Sequence, residues 1–189
     1  MEQETNVSKE EVAIVLDFLP NGYPFDHKPG QRAQAIVQAL GKERFVLLEL
    51  APKKDVSVQL HQEVYIGEGK RDEIHHIINR MDIQKLTPTA TQELEVVLHD
   101  LVKHNEARFV RFFNFSAPLS TRMHQLELIP GVGKKHMWEL LEKRAEKQFT
   151  SFADLKDRVR LLPDPEKAIV RRILNEIEGK EKHKLFVES

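Results

Sequence analysis

The chain of 189 residues contains no cysteine. Without cysteine there is no disulfide framework, no thiol nucleophile and no zinc site with cysteine ligands. Apolar runs as long as a membrane span, roughly 18 residues, are also missing. The first ten residues are polar and acidic, which predicts that no signal peptide is present. We therefore expect a cytoplasmic protein that does not associate with membranes.

An excess of charge of one sign is lacking as well, because the formal net charge is −1. The two parts of the chain nevertheless differ. Residues 1–119 carry 14 basic and 18 acidic residues, whereas residues 120–189 carry 15 basic and 12 acidic residues. Positive charge is therefore concentrated towards the C-terminus, where a polyanion such as nucleic acid would bind.

Patterns typical of enzymes are missing too. The nine histidines show no i, i+4 pair for a metal, and the acidic residues form no cluster for two-metal phosphodiester hydrolysis. The segment Gly67–Asp72 lacks the third glycine of a dinucleotide fingerprint and the Gly-Lys-Ser/Thr of a P-loop. Its Lys70 and Arg71 are still candidate phosphate contacts. We expect no cofactor, no metal and no catalytic activity.

The first part of the chain has the composition of short strands separated by turns. Val56, Val58 and Leu60 alternate with polar residues, as in a half-buried strand. Four to six strands within about 60 residues favour a small barrel, because closure removes exposed edges. We expect an OB-like barrel. The predicted strands are Glu11–Leu19, Gln34–Leu40, Arg44–Leu50 and Val56–Ile66.

Helical periodicity follows the predicted barrel. It predicts one helix over Arg71–Met81 and a second from Thr87-Pro88, a good N-cap and first-turn pair, to about His104. A further strand is predicted over Ala107–Phe115, whose phenylalanines we assign to the core rather than to a stacking platform. Ala117–Leu119 is the predicted domain joint. The predicted fold is thus α+β: a disordered tail (1–10), an OB-like barrel domain with flanking helices (11–118) and an all-α domain (119–189).

The all-α part divides into two similar halves, each with the pattern helix, turn, helix. The first half contains the glycine turn, Ile129–Lys135, and the second contains the proline turn, Leu162–Pro165. Two such units would pack as a compact four-helix core. The predicted helices are Thr121–Leu128 and Lys134–Lys147 in the first half, and Ser151–Val159 and Glu166–Ile177 in the second.

The glycine turn has the composition of an anion site. Pro130 cannot continue a preceding helix, and Gly131 and Gly133 permit positive φ and remove Cβ atoms that would obstruct a ligand. The backbone N–H groups of this turn can then converge at the N-terminus of the next helix, which attracts anions. Lys134 and Lys135 oppose the helix dipole there unless an anion neutralises them. The turn therefore predicts phosphate binding, with a purely structural turn as the alternative.

The string Leu126–Leu141, L-x-L-I-P-G-V-G-K-K-x-M-x-x-L-L, resembles the helix-hairpin-helix family. The resemblance implies phosphate binding through backbone amides without sequence readout. It assigns Val132 to the hydrophobic tip of the hairpin. The proline turn departs from the pattern, because Asp164 replaces glycine and two prolines remove N–H donors, so we interpret it as structural. The resemblance also implies a core of Leu126, Ile129, Met137, Leu140 and Leu141.

Residues from about 11 to 187 resemble an uncharacterised, mainly archaeal family of predicted OB-fold nucleic-acid-binding proteins with a C-terminal paired helix-hairpin-helix domain. The matching stretches are Leu16–Pro24, Phe45–Leu50, Phe109–Asn114 and the glycine turn. The resemblance implies this pairing of domains and a cytoplasmic role connected with nucleic acid. It implies no particular activity.

The loop Pro20–Arg32 has two interpretations of equal weight. Its aromatic residues Tyr23 and Phe25 and its cations Lys28 and Arg32 suit base stacking and phosphate contact, as in the loops of OB folds. Alternatively, the loop folds onto its own barrel and buries the aromatic rings.

These observations predict a non-catalytic nucleic-acid-binding protein that favours RNA over DNA and contacts the phosphate backbone. The alternative function is a protein-interaction adaptor that uses the helical unit as a docking scaffold. Either function is compatible with protein partners in a larger complex. The predicted nucleic-acid-binding residues are Gly131, Val132, Gly133, Lys134, Lys135, Tyr23, Phe25, Lys28, Arg32, Lys70 and Arg71.

Overall fold

The computed structural model describes residues 9–24 and 34–188. Two compact units are present: one contains the residues up to Leu94 together with the segment from Phe186, and the other is Glu95–Leu185. The predicted joint at Ala117–Leu119 lies inside the second unit. The predictions for most of the tail and for most of the Pro20–Arg32 loop lie outside the described residues. No helix among the described residues has the length and apolar character needed to cross a membrane.

The first unit contains a five-stranded antiparallel sheet curled into a half-barrel, in the order β4-β1-β2-β3-β5. Its strands are β1 (Val12–Leu19), β2 (Ile36–Gly41), β3 (Leu47–Pro52), β4 (Glu63–Tyr65) and β5 (Ile74–Arg80). The predictions for the first three strands are confirmed. The core of the sheet is aliphatic and is formed by Ala13, Val15, Val37, Ala39, Val46, Leu48, Leu50, Val58, Val64, Ile66 and Ile74.

The predicted strand Val56–Ile66 is wrong over most of its length. Asp55 and His61 both have a φ of 63°, which interrupts an extended chain on either side of the alternating residues. Val58 is buried, but Leu60 is 46% exposed. Only Glu63–Tyr65 forms a strand, at the edge of the sheet beside β1.

The predicted helix Arg71–Met81 is also wrong, because this segment contains β5. The strand pairs with β3, and register irregularities occur at two places along the pair. These irregularities break the period-2 pattern, since an extra residue in one strand turns the following side chains to the opposite face. Ile74 is fully buried, whereas Ile77 is 37% exposed.

Helix α1 (Pro88–His104) confirms the predicted start and end. The Thr87 hydroxyl accepts a hydrogen bond from the Ala90 N–H at 3.1 Å and so caps the helix. The helix begins in the first unit and ends in the second. Its buried positions follow the predicted helical spacing and are Ala90, Leu94, Val97, Leu98, Leu101 and Val102.

The second unit departs from prediction in two places. The predicted strand Ala107–Phe115 is wrong, since the segment forms helix α2 (Glu106–Phe115), with Phe109, Val110 and Phe113 buried at helical spacing. The predicted helix Thr121–Leu128 is replaced by a two-stranded hairpin and a 3-10 turn. The predicted helices Lys134–Lys147, Ser151–Val159 and Glu166–Ile177 are confirmed, whereas Phe115, which was assigned to the core, is 57% exposed. The elements are β6 (Pro118–Ser120), β7 (Met123–His124), the 3-10 turn Gln125–Leu128, α3 (Lys134–Glu146), α4 (Phe152–Arg158) and α5 (Pro165–Ile177).

Candidate functional site

The glycine turn connects the 3-10 turn to α3, and its first glycine is required by the fold. Gly131 has a φ of 82°, which a side chain would strain. A Cβ atom at this position would also lie 2.6 Å from Cγ of Pro163 in the proline turn. The two turns of the second unit are therefore packed together at Gly131.

Gly133, in contrast, is required neither by conformation nor by packing. It is the N-cap residue of α3 with φ −87° and ψ −176°, an ordinary extended conformation. A Cβ atom here would meet nothing within 4 Å. The glycine thus leaves open surface above the end of a helix.

The N-terminus of α3 has no side-chain cap. Gly133 has no side chain that could accept a hydrogen bond, and the first backbone hydrogen bond of the helix runs from the Met137 N–H to the Gly133 carbonyl at 2.9 Å. The N–H groups in the first turn of an α-helix have no partner within the helix. Together with the helix dipole, these groups form a site suited to an anion.

The two lysines at the start of α3 differ in their surroundings. Lys134 Nζ donates to Glu127 Oε2 at 2.9 Å and to the Arg122 carbonyl at 3.2 Å. Lys135 is exposed and forms no ion pair within the described part of the chain. Lys135 is therefore the lysine whose charge is left for a ligand.

Glu127 and His124 brace the chain just before the glycine turn. The His124 N–H donates to Glu127 Oε1 at 2.9 Å, and the Leu126 N–H donates to His124 Nδ1 at 3.1 Å. Hydrogen bonds from the Lys134 ammonium and the His124 amide hold the pKa of Glu127 below its ordinary value. Burial, followed by the positive charge of Arg144, lowers the pKa of His124. The favoured imidazole is neutral, and its Nδ1 accepts the hydrogen bond.

Val132 occupies a different position from the one that the resemblance implied. Its side chain is only 5% exposed, and its N–H donates to the Ile129 carbonyl at 3.0 Å. Neither group is presented to a ligand, so Val132 is a packing residue. Four of the five predicted core residues are buried and the fifth is partly buried; the four are Leu126, Ile129, Met137 and Leu140.

Arg172 of α5 donates a hydrogen bond to the residue just before the glycine turn. Its guanidinium is 1% exposed and donates through Nη1 to the Leu128 carbonyl at 2.9 Å and through Nε to Glu176 Oε1 at 2.7 Å. Nη1 also lies 2.9 Å from Glu181 Oε2, and Nη2 donates to the His183 carbonyl. The buried cation therefore links the residue before the glycine turn to the helix that follows the proline turn.

The proline turn ends at a helix whose N-terminus is already occupied. Asp164 Oδ1 accepts the Lys167 N–H at 3.1 Å, and Lys156 Nζ lies 3.3 Å from Oδ2. Burial opposes ionisation of Asp164, but the Lys167 amide and the Lys156 ammonium outweigh it, so the pKa of Asp164 is lowered. Pro165 at the first helical position contributes no N–H donor. A carboxylate thus stands where an external anion would bind.

Tyr23 is fixed to the sheet of the first unit. Its hydroxyl accepts a hydrogen bond from Nε2 of the fully buried Gln38 at 2.9 Å. Gln38 also donates to the Lys85 carbonyl and accepts from the Thr87 N–H. The tyrosine is partly buried, which agrees with a loop folded onto the sheet at this residue. Phe25, Lys28 and Arg32 lie outside the described residues.

The Gly67–Asp72 loop is organised around Tyr65 and Arg71. A Cβ atom on Gly67 would lie 2.4 Å from the Tyr65 hydroxyl, so packing against that ring explains the glycine. Arg71 Nε donates to the Gly67 carbonyl at 2.8 Å and Nη1 to the His75 carbonyl at 3.3 Å. Arg71 is therefore engaged within its own unit, whereas Lys70 is exposed. Within the described residues, no group of three or more acidic or histidine side chains could hold a metal.

Trp138 is a surface residue of this region that sequence analysis did not single out. It is the only tryptophan of the chain and is 65% exposed. Met137 and Leu140 mark the buried face of α3, and Trp138 falls outside it. That spacing was readable in the sequence and could have identified the residue.

Known proteins resemble this chain over nearly its whole length. The family described as "Protein of unknown function (DUF655)" matches residues 9–188. The uncharacterized protein MJ0038 of Methanocaldococcus jannaschii is 46% identical over 180 residues, which cover 94% of this chain and 80% of that protein. The crystal structure of Af1531 from Archaeoglobus fulgidus, a DUF655 protein, has a TM-score of 0.85 and 43% identity. It covers 95% of this chain and 100% of its own. The chain belongs to the DUF655 family.

Proposed function

We propose that this protein binds nucleic acid without cutting it, through a phosphate held at the glycine turn. The donors are the uncapped N–H groups at the start of α3, and Lys135 supplies the unpaired positive charge. Backbone amides grip a phosphate in any sequence, so binding is independent of base identity. The protein acts in the cytoplasm, alone or with protein partners.

One observation carries this proposal: Gly133 is a glycine that the fold does not need. The backbone conformation at this position accepts any residue, and an added Cβ atom would meet no atom within 4 Å. Asp, Asn or Ser would cap the helix better than glycine. A surface kept open at an uncapped helix end is the arrangement that a close phosphate requires.

The proposal also assigns each of the two units to a specific fold. The curled five-stranded sheet supports an OB-like barrel, a fold that commonly binds oligonucleotides. The paired turns in contact at Gly131 and Pro163 support a helix-hairpin-helix unit with one functional hairpin and one that serves packing. We favour RNA over DNA as the ligand.

A protein-interaction adaptor is the second candidate, and exposed apolar residues favour it. Phe115, Leu119 and Met123 are 57%, 39% and 41% exposed at the end of α2 and in the β6–β7 hairpin. Exposed apolar side chains close together in the chain are typical of protein contacts. If this function is the main one, substitutions at these residues will abolish partner binding while those at the glycine turn will not.

A filter-binding assay tests the proposal directly. The purified chain is mixed at low salt with single-stranded RNA, single-stranded DNA and duplex DNA of matched sequence. We expect binding to all three, tightest for RNA, and no turnover of nucleic acid or nucleoside triphosphate with magnesium, manganese or zinc. Absence of binding at low salt would reject the proposal. Turnover that disappears with a point substitution would reject its non-catalytic part.

A further inference from the structure

Trp138 lies beside the proposed phosphate site. It follows Lys134 by four positions and Lys135 by three, so the three side chains are neighbours on one surface of α3. The helix rise places Trp138 about 6 Å along the axis from Lys134. An indole exposed to this extent leaves a large apolar face in water, although tryptophan is usually well buried.

A second exposed apolar side chain lies on the turn next to this part of α3. The Arg160 N–H donates to Oε1 of Glu139, the residue after Trp138, at 2.8 Å. Leu161, which follows, is 86% exposed and has a φ of 57°, unusual for a residue other than glycine. Arg160 is exposed and forms no ion pair among the residues that the structure describes. Two lysines of α3 and Arg160 of the adjoining turn thus place cations in the same part of the unit as Trp138.

We infer that the indole of Trp138 stacks on an unpaired base of the strand whose phosphate binds at the glycine turn, so that the ligand is single-stranded. This inference rests on the proposed function. Aromatic rings beside a positively charged surface are the means by which proteins hold single strands without reading their sequence. A duplex keeps its bases stacked inside and offers none to the indole.

The chain has one tryptophan, so tryptophan emission, excited where tyrosine does not absorb, reports on Trp138 alone. The full-length protein is titrated with oligouridylate and oligothymidylate of about 12 nucleotides, within the site size of single-strand-binding domains. Duplex RNA and duplex DNA of similar length serve as comparison ligands. We expect single strands to quench the emission and duplexes to leave it nearly unchanged.

Substitutions separate this inference from the proposed function. Trp138→Ala should weaken single-strand binding by about 5- to 150-fold, the range for one stacked base, and leave duplex binding unchanged. Trp138→Phe should retain most of the affinity because it keeps a ring. Phe115→Ala is the matched control, since Phe115 is an exposed aromatic residue of the same unit whose ring lies 4.9 Å from the Arg111 guanidinium carbon. Its affinity should equal that of the unsubstituted chain.

Two failures have different meanings. If single strands bind with unchanged emission, or Trp138→Ala binds them as tightly as the unsubstituted chain, stacking is wrong while the glycine turn retains its proposed role. If no nucleic acid binds, or if Lys134→Glu/Lys135→Glu binds single strands and duplexes normally, phosphate binding at the turn is wrong and the inference fails with it.

Discussion

The glycine turn and the proline turn occupy equivalent places in the second unit but end in opposite electrostatic surroundings. Each precedes a helix of 13 residues. The helix after the glycine turn begins without a cap and carries two lysines in its first turn. The helix after the proline turn begins with a proline and is capped by the Asp164 carboxylate. The two turns therefore differ at the helix N-cap: Gly133 leaves the first N–H groups of α3 open, whereas Asp164 places a carboxylate at those of α5.

The largest expected effect comes from Arg172, the buried side chain that links the residue before the glycine turn to the helix after the proline turn. Arg172→Met removes a buried cation and leaves Glu176, whose side chain is 0% exposed, without its charge partner. We expect a loss of about 3–5 kcal/mol in the free energy of unfolding, measured by urea denaturation. Arg171→Met is the matched control, because Arg171 is the exposed neighbour on the same helix. Equal stability of the two variants would show that the buried network does not hold the turns.

Replacing the N-cap residue of α3 with that of α5 should give the glycine turn the electrostatic properties of the proline turn. Gly133→Asp places at α3 the carboxylate that Asp164 places at α5. We expect stability to rise by a few tenths to about 1 kcal/mol, because aspartate is the better cap and complements the helix dipole. Nucleic-acid affinity should fall by about tenfold or more, because the carboxylate occupies the phosphate site and repels the negative charge of the phosphate.

The control for this exchange is Asp164→Asn, which keeps a capping oxygen and removes the charge. Its affinity for nucleic acid should stay close to that of the unsubstituted chain, measured in the same assay. If Gly133→Asp retains full affinity, the N–H groups of α3 do not bind the ligand. A several-fold loss with Asp164→Asn in a folded protein would show that the proline turn also takes part.

The smallest effect concerns the histidine that braces the glycine turn. The pKa of His124 is lowered from 6.5 in the folded protein, so the unfolded chain takes up its proton first as the pH falls. The stability that the neutral imidazole contributes is fully present above pH 6.5 and is lost as the pH falls towards the lower, folded-state pKa. Denaturation midpoints between about pH 7.5 and about pH 5.5 measure this loss.

His124→Asn keeps a capping side chain and removes the titrating group. The pH dependence of stability in that window should therefore be weaker in the variant. Glu127 and Asp164 do not interfere, because their pKa values are lowered from 4.5 and 3.8. Identical pH profiles for the two proteins would mean that His124 titrates in the folded state as it does in the unfolded chain.

Elements whose ends are marked by proline or glycine could be predicted from the sequence, whereas elements whose conformation depends on tertiary pairing could not. The helix after the glycine turn was predictable because proline and glycine mark its start. Strand β5 was mistaken for a helix because Ile74, Ile77 and Ile78 have helical spacing, and the register irregularities that hide its period arise only through pairing with β3. Helix α2 was mistaken for a strand because aromatic residues favour strands, although Phe109 and Phe113 are four positions apart and both buried.

The candidate site was predictable only in part. Its backbone elements follow from local residue types. The difference in ion pairing between Lys134 and Lys135, however, depends on the Glu127 carboxylate, which lies 2.9 Å from Nζ of Lys134 in the folded chain. The burial of Val132 likewise depends on packing. The hydrogen bond between Tyr23 and Gln38 joins residues 15 positions apart on different elements, and no local pattern reveals it.

The central claim is that the glycine turn binds phosphate and the proline turn does not. Its most direct test is the salt dependence of nucleic-acid affinity for Lys135→Glu and for Lys167→Glu, an exposed lysine in the first turn of α5. We predict that Lys135→Glu weakens binding to all sequences alike and flattens the plot of log affinity against log salt by about one unit per lost phosphate contact. Lys167→Glu should leave that slope unchanged. Equal slopes for both variants and the unsubstituted chain would contradict the claim.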